Sequence, residues 1–160
     1  MQLTTVEIVK PADANVIIGQ AHFIKTVEDV YEALVQAVPN IKFGLAFCEA
    51  SGPCLIRHSG TDAELEKFAI DAASAIGAGH VFVVILGNAF PVNVLNQIKS
   101  VSEVCNVFCA TANPLRLIVA EDGGGRGVIG VIDGNSPKGV EGAEDQKERR
   151  AMLRKFGYKQ

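Results

Sequence analysis

The stretch from Gly77 to Asn93 constrains the fold more than any other part of the chain. It reads Gly-Ala-Gly-His, then Val81 to Leu86 without a polar side chain, then Gly-Asn-Ala-Phe-Pro-Val-Asn. The apolar run is short, partly β-branched and bounded by glycine on both sides. That combination predicts a strand covered on both faces rather than a helix. Gly-Ala-Gly reads as the exit from a helix. His80 then stands where the strand begins, and Asn93 lies just past its far end, near the start of a further helix. A histidine at the mouth of a central strand, beside glycines that let a ligand approach the backbone, is the first candidate for chemistry. Most histidines in such places are half-buried with one satisfied hydrogen bond, so support must come from elsewhere in the chain.

At 160 residues the chain is expected to form a single domain, residues 1–160, and 48% apolar content is enough for a real core. With charged residues at 21% and a net charge of −3, nothing in the charge balance suggests a nucleic-acid or anionic-membrane partner, and neither is expected. With eight Phe, two Tyr and no Trp, a stacking platform for single-stranded RNA is not expected. The opening Met-Gln-Leu-Thr-Thr has neither a basic nor an apolar leader segment. No apolar run approaches the roughly 18 residues of a membrane span. The expectation is a soluble cytoplasmic protein, in which the four cysteines stay reduced. Cys105 and Cys109 on one strand would hold their sulfurs roughly 13 Å apart, too far to share a metal.

Along the chain, Leu3–Val9 reads as a first strand and Asn15–Gly19 as a second. Thr26, with Asp29 three positions on, predicts the N-cap of a helix whose face is Val27, Val30, Tyr31, Leu34, Val35 and Val38. Pro39-Asn40 ends it. Ile41–Cys48 and Leu55–Ser59 form a plausible hairpin around Glu49-Ala-Ser-Gly-Pro. The capping pattern recurs at Thr61 and Glu64, ahead of a helix with the stripe Leu65, Phe68, Ala69, Ala72, Ala73, Ile76. Pro91 suits the first turn of a helix that runs to about Lys99. Val104–Ala110 is a strand. Leu115–Ala120 and Gly127–Ile132 are strands joined by the glycine-rich tip Glu121–Arg126. A last helix, Glu144 to Phe156, runs from acidic to basic as the helix dipole favours. Helices alternate with strands, but hairpin-like pairs interrupt the alternation. The predicted class is α/β, one domain with a mixed β-sheet and helices packed on it.

Familiar nucleotide motifs are absent. No Gly-x-x-x-x-Gly-Lys-Ser/Thr occurs, and Gly123–Gly127 lies between strands rather than at a strand-to-helix turn. Polar residues gather instead at strand ends: Glu49 and Ser51, Ser59 and Asp62, His80, Asn93, Thr111 and Asn113, Glu121 and Arg126, and Asp133. Such positions are where α/β sheets hold ligands. Glu49, Asn93 and Asn113 suit ribose hydroxyls and a purine edge, and Arg126 with its glycines suits an anion. Of the three histidines, His58 reads as structural, while His22 precedes a helix in a polar setting. His80 is the better candidate, because a neutral imidazole can attack phosphorus as well as act as a base. No set of ligands shows metal-type spacing, so no metal site is expected.

These segments resemble the adenosine-specific kinase family. The resemblance rests on Cys48-Glu-Ala-Ser-Gly, Ser59-Gly-Thr-Asp62, Ile76-Gly-Ala-Gly-His80, Phe90-Pro-Val-Asn93-Val-Leu-Asn96, Glu103-Val-Cys-Asn-Val-Phe-Cys-Ala-Thr-Ala-Asn113-Pro, Gly125-Arg-Gly-Val-Ile-Gly-Val-Ile-Asp133-Gly and Leu153-Arg-Lys-Phe-Gly-Tyr-Lys. It covers essentially the whole chain. It implies binding of adenosine or AMP and a histidine that carries a phosphoryl group, His80 first and His22 second. The reading that follows is phosphoryl transfer between His80 and the adenosine 5′-hydroxyl. Arg126 and glycine-loop amides would hold the phosphate, and Glu49, Asn93 and Asn113 the nucleoside. The alternative is an adenosine or AMP sensor without turnover. The missing Walker loop leaves the phosphoryl donor open and a magnesium ion with it. A homo-oligomer is expected on general grounds.

Overall fold

The computed structural model describes residues 1–160. Its strands are β1 (Gln2–Ile8), β2 (Asn15–Ala21), β3 (Phe43–Cys48), β4 (Ile56–Gly60), β5 (Val81–Leu86), β6 (Val104–Thr111), β7 (Leu115–Asp122) and β8 (Gly125–Asp133). Its helices are α1 (Thr26–Ala37), α2 (Ala63–Ile76), α3 (Pro91–Lys99) and α4 (Ala143–Lys155). A five-stranded sheet has the order β4-β3-β5-β2-β6, and a three-stranded sheet the order β1-β7-β8. This is a single α/β domain with helices packed on its sheets. Every strand pairing is antiparallel. The expected mixture therefore lies in the connections, hairpins alternating with helical crossovers, rather than in strand direction.

β5 is the middle strand of the larger sheet, and all six of its residues are buried. Its alternation explains why. Val81, Val83 and Ile85 face a core shared with α2 and the three-stranded sheet. Phe82, Val84 and Leu86 face a second core built from α1 and α3. A strand buried on both faces has no solvent side to mark with polar residues, hence its unbroken apolar run. On α2, Leu65, Ala69, Ala72, Ala73 and Ile76 are buried as their spacing predicts.

Both capping expectations are corrected. Thr26 is the first helical residue of α1 and donates its hydroxyl to the Phe23 carbonyl at 2.6 Å; Lys25 precedes it without a side-chain cap. Thr61 donates to the Ile41 carbonyl at 2.6 Å and accepts from the Phe43 amide, tying β3 to β4's end. Asp62 caps α2 instead, its Oδ1 accepting from the Glu64 and Leu65 amides. In each case a nearby carbonyl competed for the hydroxyl, which local pattern does not reveal. The glycine-rich tip is also tighter than expected. Asp122 pairs with Gly125 and Glu121 with Arg126, so the turn is only Gly123-Gly124, both with positive φ, and Arg126 belongs to β8. No helix is long and apolar enough to cross a membrane.

Candidate active site

Antiparallel pairing decides which strand ends meet. Val81 pairs with Gln20, and the Ala21 amide donates to the His80 carbonyl at 2.9 Å. Cys48 and Ile56 pair on the next strands. The start of β5, the ends of β2 and β3 and the start of β4 thus form one mouth, with His80 at its centre.

His80 has a left-handed backbone, φ 65°. That region costs a residue with a Cβ about 1–2 kcal/mol. It persists because the surroundings hold it. The His80 amide donates to the Cys48 carbonyl at 2.7 Å, its carbonyl accepts from Ala21, and its ring stacks on Phe47 with centroids 5.8 Å apart. Glycine is needed at two neighbouring positions. Gly77 ends α2 with φ 59°, and a Cβ there would lie 2.9 Å from the Arg126 guanidinium. A Cβ on Gly79 would lie 2.8 Å from that of Ala50, so the turn after β3 closes over the mouth only because Gly79 has none.

His80 lines two cavities. One, of about 650 Å³, is also lined by Glu49, Ser74, Gly77, Gly79, Gly125 and Arg126. The other, of about 270 Å³, adds His22, Phe23 and Ser51. Arg126 reaches this place because the β7–β8 hairpin packs over α2. Its Nη1 donates to the Ala75 carbonyl at 3.3 Å, in the last turn of α2, where the helix dipole favours a cation. Glu121 lies 3.9 Å from the Arg126 Nε, and that buried nitrogen has no hydrogen-bond partner. A guanidinium with a donor to spare beside backbone amides is suited to an anion.

Glu49 is held by the Leu55 amide at 2.8 Å and by Arg57 Nη2 at 2.8 Å. The Leu55 hydrogen bond first, and Arg57 second, push its carboxyl below the usual range, so it is an ionised acceptor at neutral pH. Cys48 also reaches the larger cavity, but burial pushes its thiol up to about 11, which removes it as a thiolate nucleophile. His22 is exposed beside Phe23, its amide bonded to the Glu103 carbonyl. His58 lies elsewhere, its Nδ1 against the Glu66 carboxylate on α2.

The remaining sequence candidates lie away from this mouth. Ser59 pairs with Leu45 on the edge strand β4. Asp62 caps α2 at the far end of β3. The Asn93 Oδ1 accepts from the Phe90 amide at the start of α3. Thr111 and Asn113 both donate to the Asp133 Oδ1, at 2.7 and 2.9 Å. All but Ser59 belong to the end of the sheet where Leu86 pairs with Asn15. The structure therefore brings together His80, His22, Glu49, Ser51 and Arg126, with Glu121 beside them. It sets Asp62, Asn93, Thr111 and Asn113 roughly 20 Å away, the length of β5. Among the lining residues that were not sequence candidates, two carry polar amide or hydroxyl groups. Ser74 lies one turn before Gly77 on α2, and Gln20 lies at a register shift in the pairing of β2 with β6. Gln20 carried a signal, as the polar residue that ends the apolar run of β2.

The chain matches the family described as adenosine specific kinase over residues 6–159. No curated protein matches it. Among solved structures it is similar to the PH1918 protein from Pyrococcus horikoshii OT3, with 49% identity and a TM-score of 0.96, covering 99% of this chain and 98% of that one. On a match spanning nearly its whole length, the chain belongs to the adenosine-specific kinase family.

Proposed function

We propose that the protein is an adenosine-specific phosphotransferase in which His80 exchanges a phosphoryl group with the 5′-oxygen of adenosine. Family membership supports the substrate class. The observation that carries the residue assignment is the left-handed backbone of His80 at the junction of two cavities, since strained conformations held by their surroundings cluster at reacting groups.

With AMP, a ring nitrogen of His80 attacks phosphorus in line. The N–P bond forms as the bond from phosphorus to the 5′-oxygen breaks, and that oxygen takes up a proton to leave adenosine. The reverse direction phosphorylates adenosine from phosphohistidine. Charge on the equatorial oxygens needs positioned donors, and the Arg126 guanidinium and the amides around Gly125 supply them. Ionised Glu49 accepts from a ribose hydroxyl. Ser51 and His22 border the second cavity, which would receive the rest of the nucleoside.

The expected homo-oligomer belongs to this reading too. α4 has no buried residue, and an isolated helix of 13 residues is marginal in water, so packing against another copy is the simplest support for it.

The test uses AMP labelled at phosphorus. Label should appear on the wild-type protein as an acid-labile, base-stable adduct, be lost in His80→Ala, persist in His22→Ala, and be chased onto added adenosine. Saturable AMP binding with no label on any histidine would instead identify a sensor without turnover.

A further inference from the structure

At the opposite end of the sheet from His80 lies a third cavity, of about 530 Å³. It is lined mainly by apolar side chains, among them Phe90, Val92, Phe156 and Tyr158, with Asn15 and Thr111 as its polar members. Three of the chain's ten aromatic residues of the Phe and Tyr type thus meet at one cleft, each about half exposed. Exposed rings gathered around a concavity are the usual means of holding a flat ring.

The polar groups point to which flat ring. Thr111 is already committed, donating to Asp133 and accepting from the Asn113 amide. Asn15 is not. It is only 6% exposed, and its carboxamide makes one long bond, from Nδ2 to the Ala89 carbonyl at 3.5 Å. Its Oδ1 has no protein partner. Lys10 ties two neighbouring segments together, donating to the Ala14 and Ala112 carbonyls at 2.7 Å each. A buried carboxamide offering an acceptor beside a donor matches the adenine edge, where an exocyclic amine adjoins a ring nitrogen.

We infer that this cleft is a second purine site, which binds the adenine base between its aromatic side chains with Asn15 on the base edge. The site lies about 20 Å from His80. A nucleoside held here cannot react at the His80 of the same chain, so the site is an effector site. It does not depend on the chemistry proposed for His80.

Tyr31 and Tyr158 are the only tyrosines and there is no tryptophan. In a Tyr31→Phe background, tyrosine emission therefore reports on the cleft alone. Adenosine should quench it saturably, with a midpoint that stays within twofold when His80→Ala is added. Asn15→Asp, which keeps the acceptor and removes the donor, should weaken the midpoint at least tenfold. Phe90→Ala, a change at an exposed side chain, should weaken it about fivefold or more. Inosine, which lacks the exocyclic amine, should bind at least tenfold more weakly than adenosine. Absence of quenching, loss of quenching in His80→Ala, or a midpoint indifferent to both Asn15→Asp and Phe90→Ala would overturn the assignment.

Discussion

The two ends of the five-stranded sheet carry polar residues of the same kinds and treat them differently. At the Leu86 end, Thr111, Asn113 and Asp133 bond to one another, Asp62 caps α2 and Asn93 caps the start of α3. At the His80 end, buried side-chain atoms are left over. Four such atoms in the molecule lack a partner, and three of them, Arg57 Nε, Glu103 Oε1 and Arg126 Nε, belong to this end. Unsatisfied buried polar atoms are expensive, and native structures keep few of them. Their accumulation beside a histidine with a left-handed backbone marks a candidate site better than residue type does. At the opposite end Asn15 is the least committed polar side chain, 6% exposed with a single 3.5 Å bond to the Ala89 carbonyl, which is why its cleft is worth testing.

The contrast can be broken most directly at Arg126. Arg126→Ala should lower phosphoryl transfer about a hundredfold or more, the usual effect of removing one positioned donor to a developing charge. It should leave thermal stability within a few degrees of wild type. A full loss of fold instead would make Arg126 scaffold. At the other end, Asp133→Ala strips the partner from both Thr111 and Asn113. It should cost about 1–2 kcal/mol of stability, read by chemical denaturation, while transfer per folded molecule stays unchanged. A large fall in transfer would show that the two ends are coupled.

A finer comparison concerns His80 itself. Both His80→Gly and His80→Ala remove the ring, but only glycine is at ease with φ 65°. The glycine variant should therefore be more stable than the alanine variant by about 1 kcal/mol. Equal stabilities would mean that the backbone at His80 stores no strain. The smallest effect is expected at Glu49. Its carboxyl is held below its ordinary value in the fold by the Leu55 amide and Arg57. Its stabilising contribution is thus present above the ordinary carboxyl range and lost as pH falls through the depressed value. Glu49→Gln should flatten the fall in melting temperature between pH 5 and pH 3. An acid limb identical to wild type would deny Glu49 that role.

Much of the scaffold was legible because its signals are local. The apolar run of β5, the alanine-rich stripe of α2 and the dipole-matched charges of α4 each depend on spacing within one element. The caps at Thr26 and Thr61 were misread because their hydroxyls found carbonyls within reach, Phe23 close by and Ile41 twenty residues back. The candidate residues were harder still. Strand-end position singled out Glu49, Arg126, Asn93 and Asn113 alike, and only pairing direction sorts them to opposite ends of the sheet.

By itself, the sequence determined the elements and the place of His80. A buried strand must be apolar throughout, and a glycine-flanked histidine before it must sit at that strand's mouth. The tertiary structure decided what surrounds that histidine. Antiparallel register brings the ends of β2 and β3 beside it, and the packing of β7 and β8 over α2 delivers Arg126 from some fifty residues away. Those arrangements follow from pairings between distant segments, where one-residue shifts turn a whole strand over and no local period records the choice.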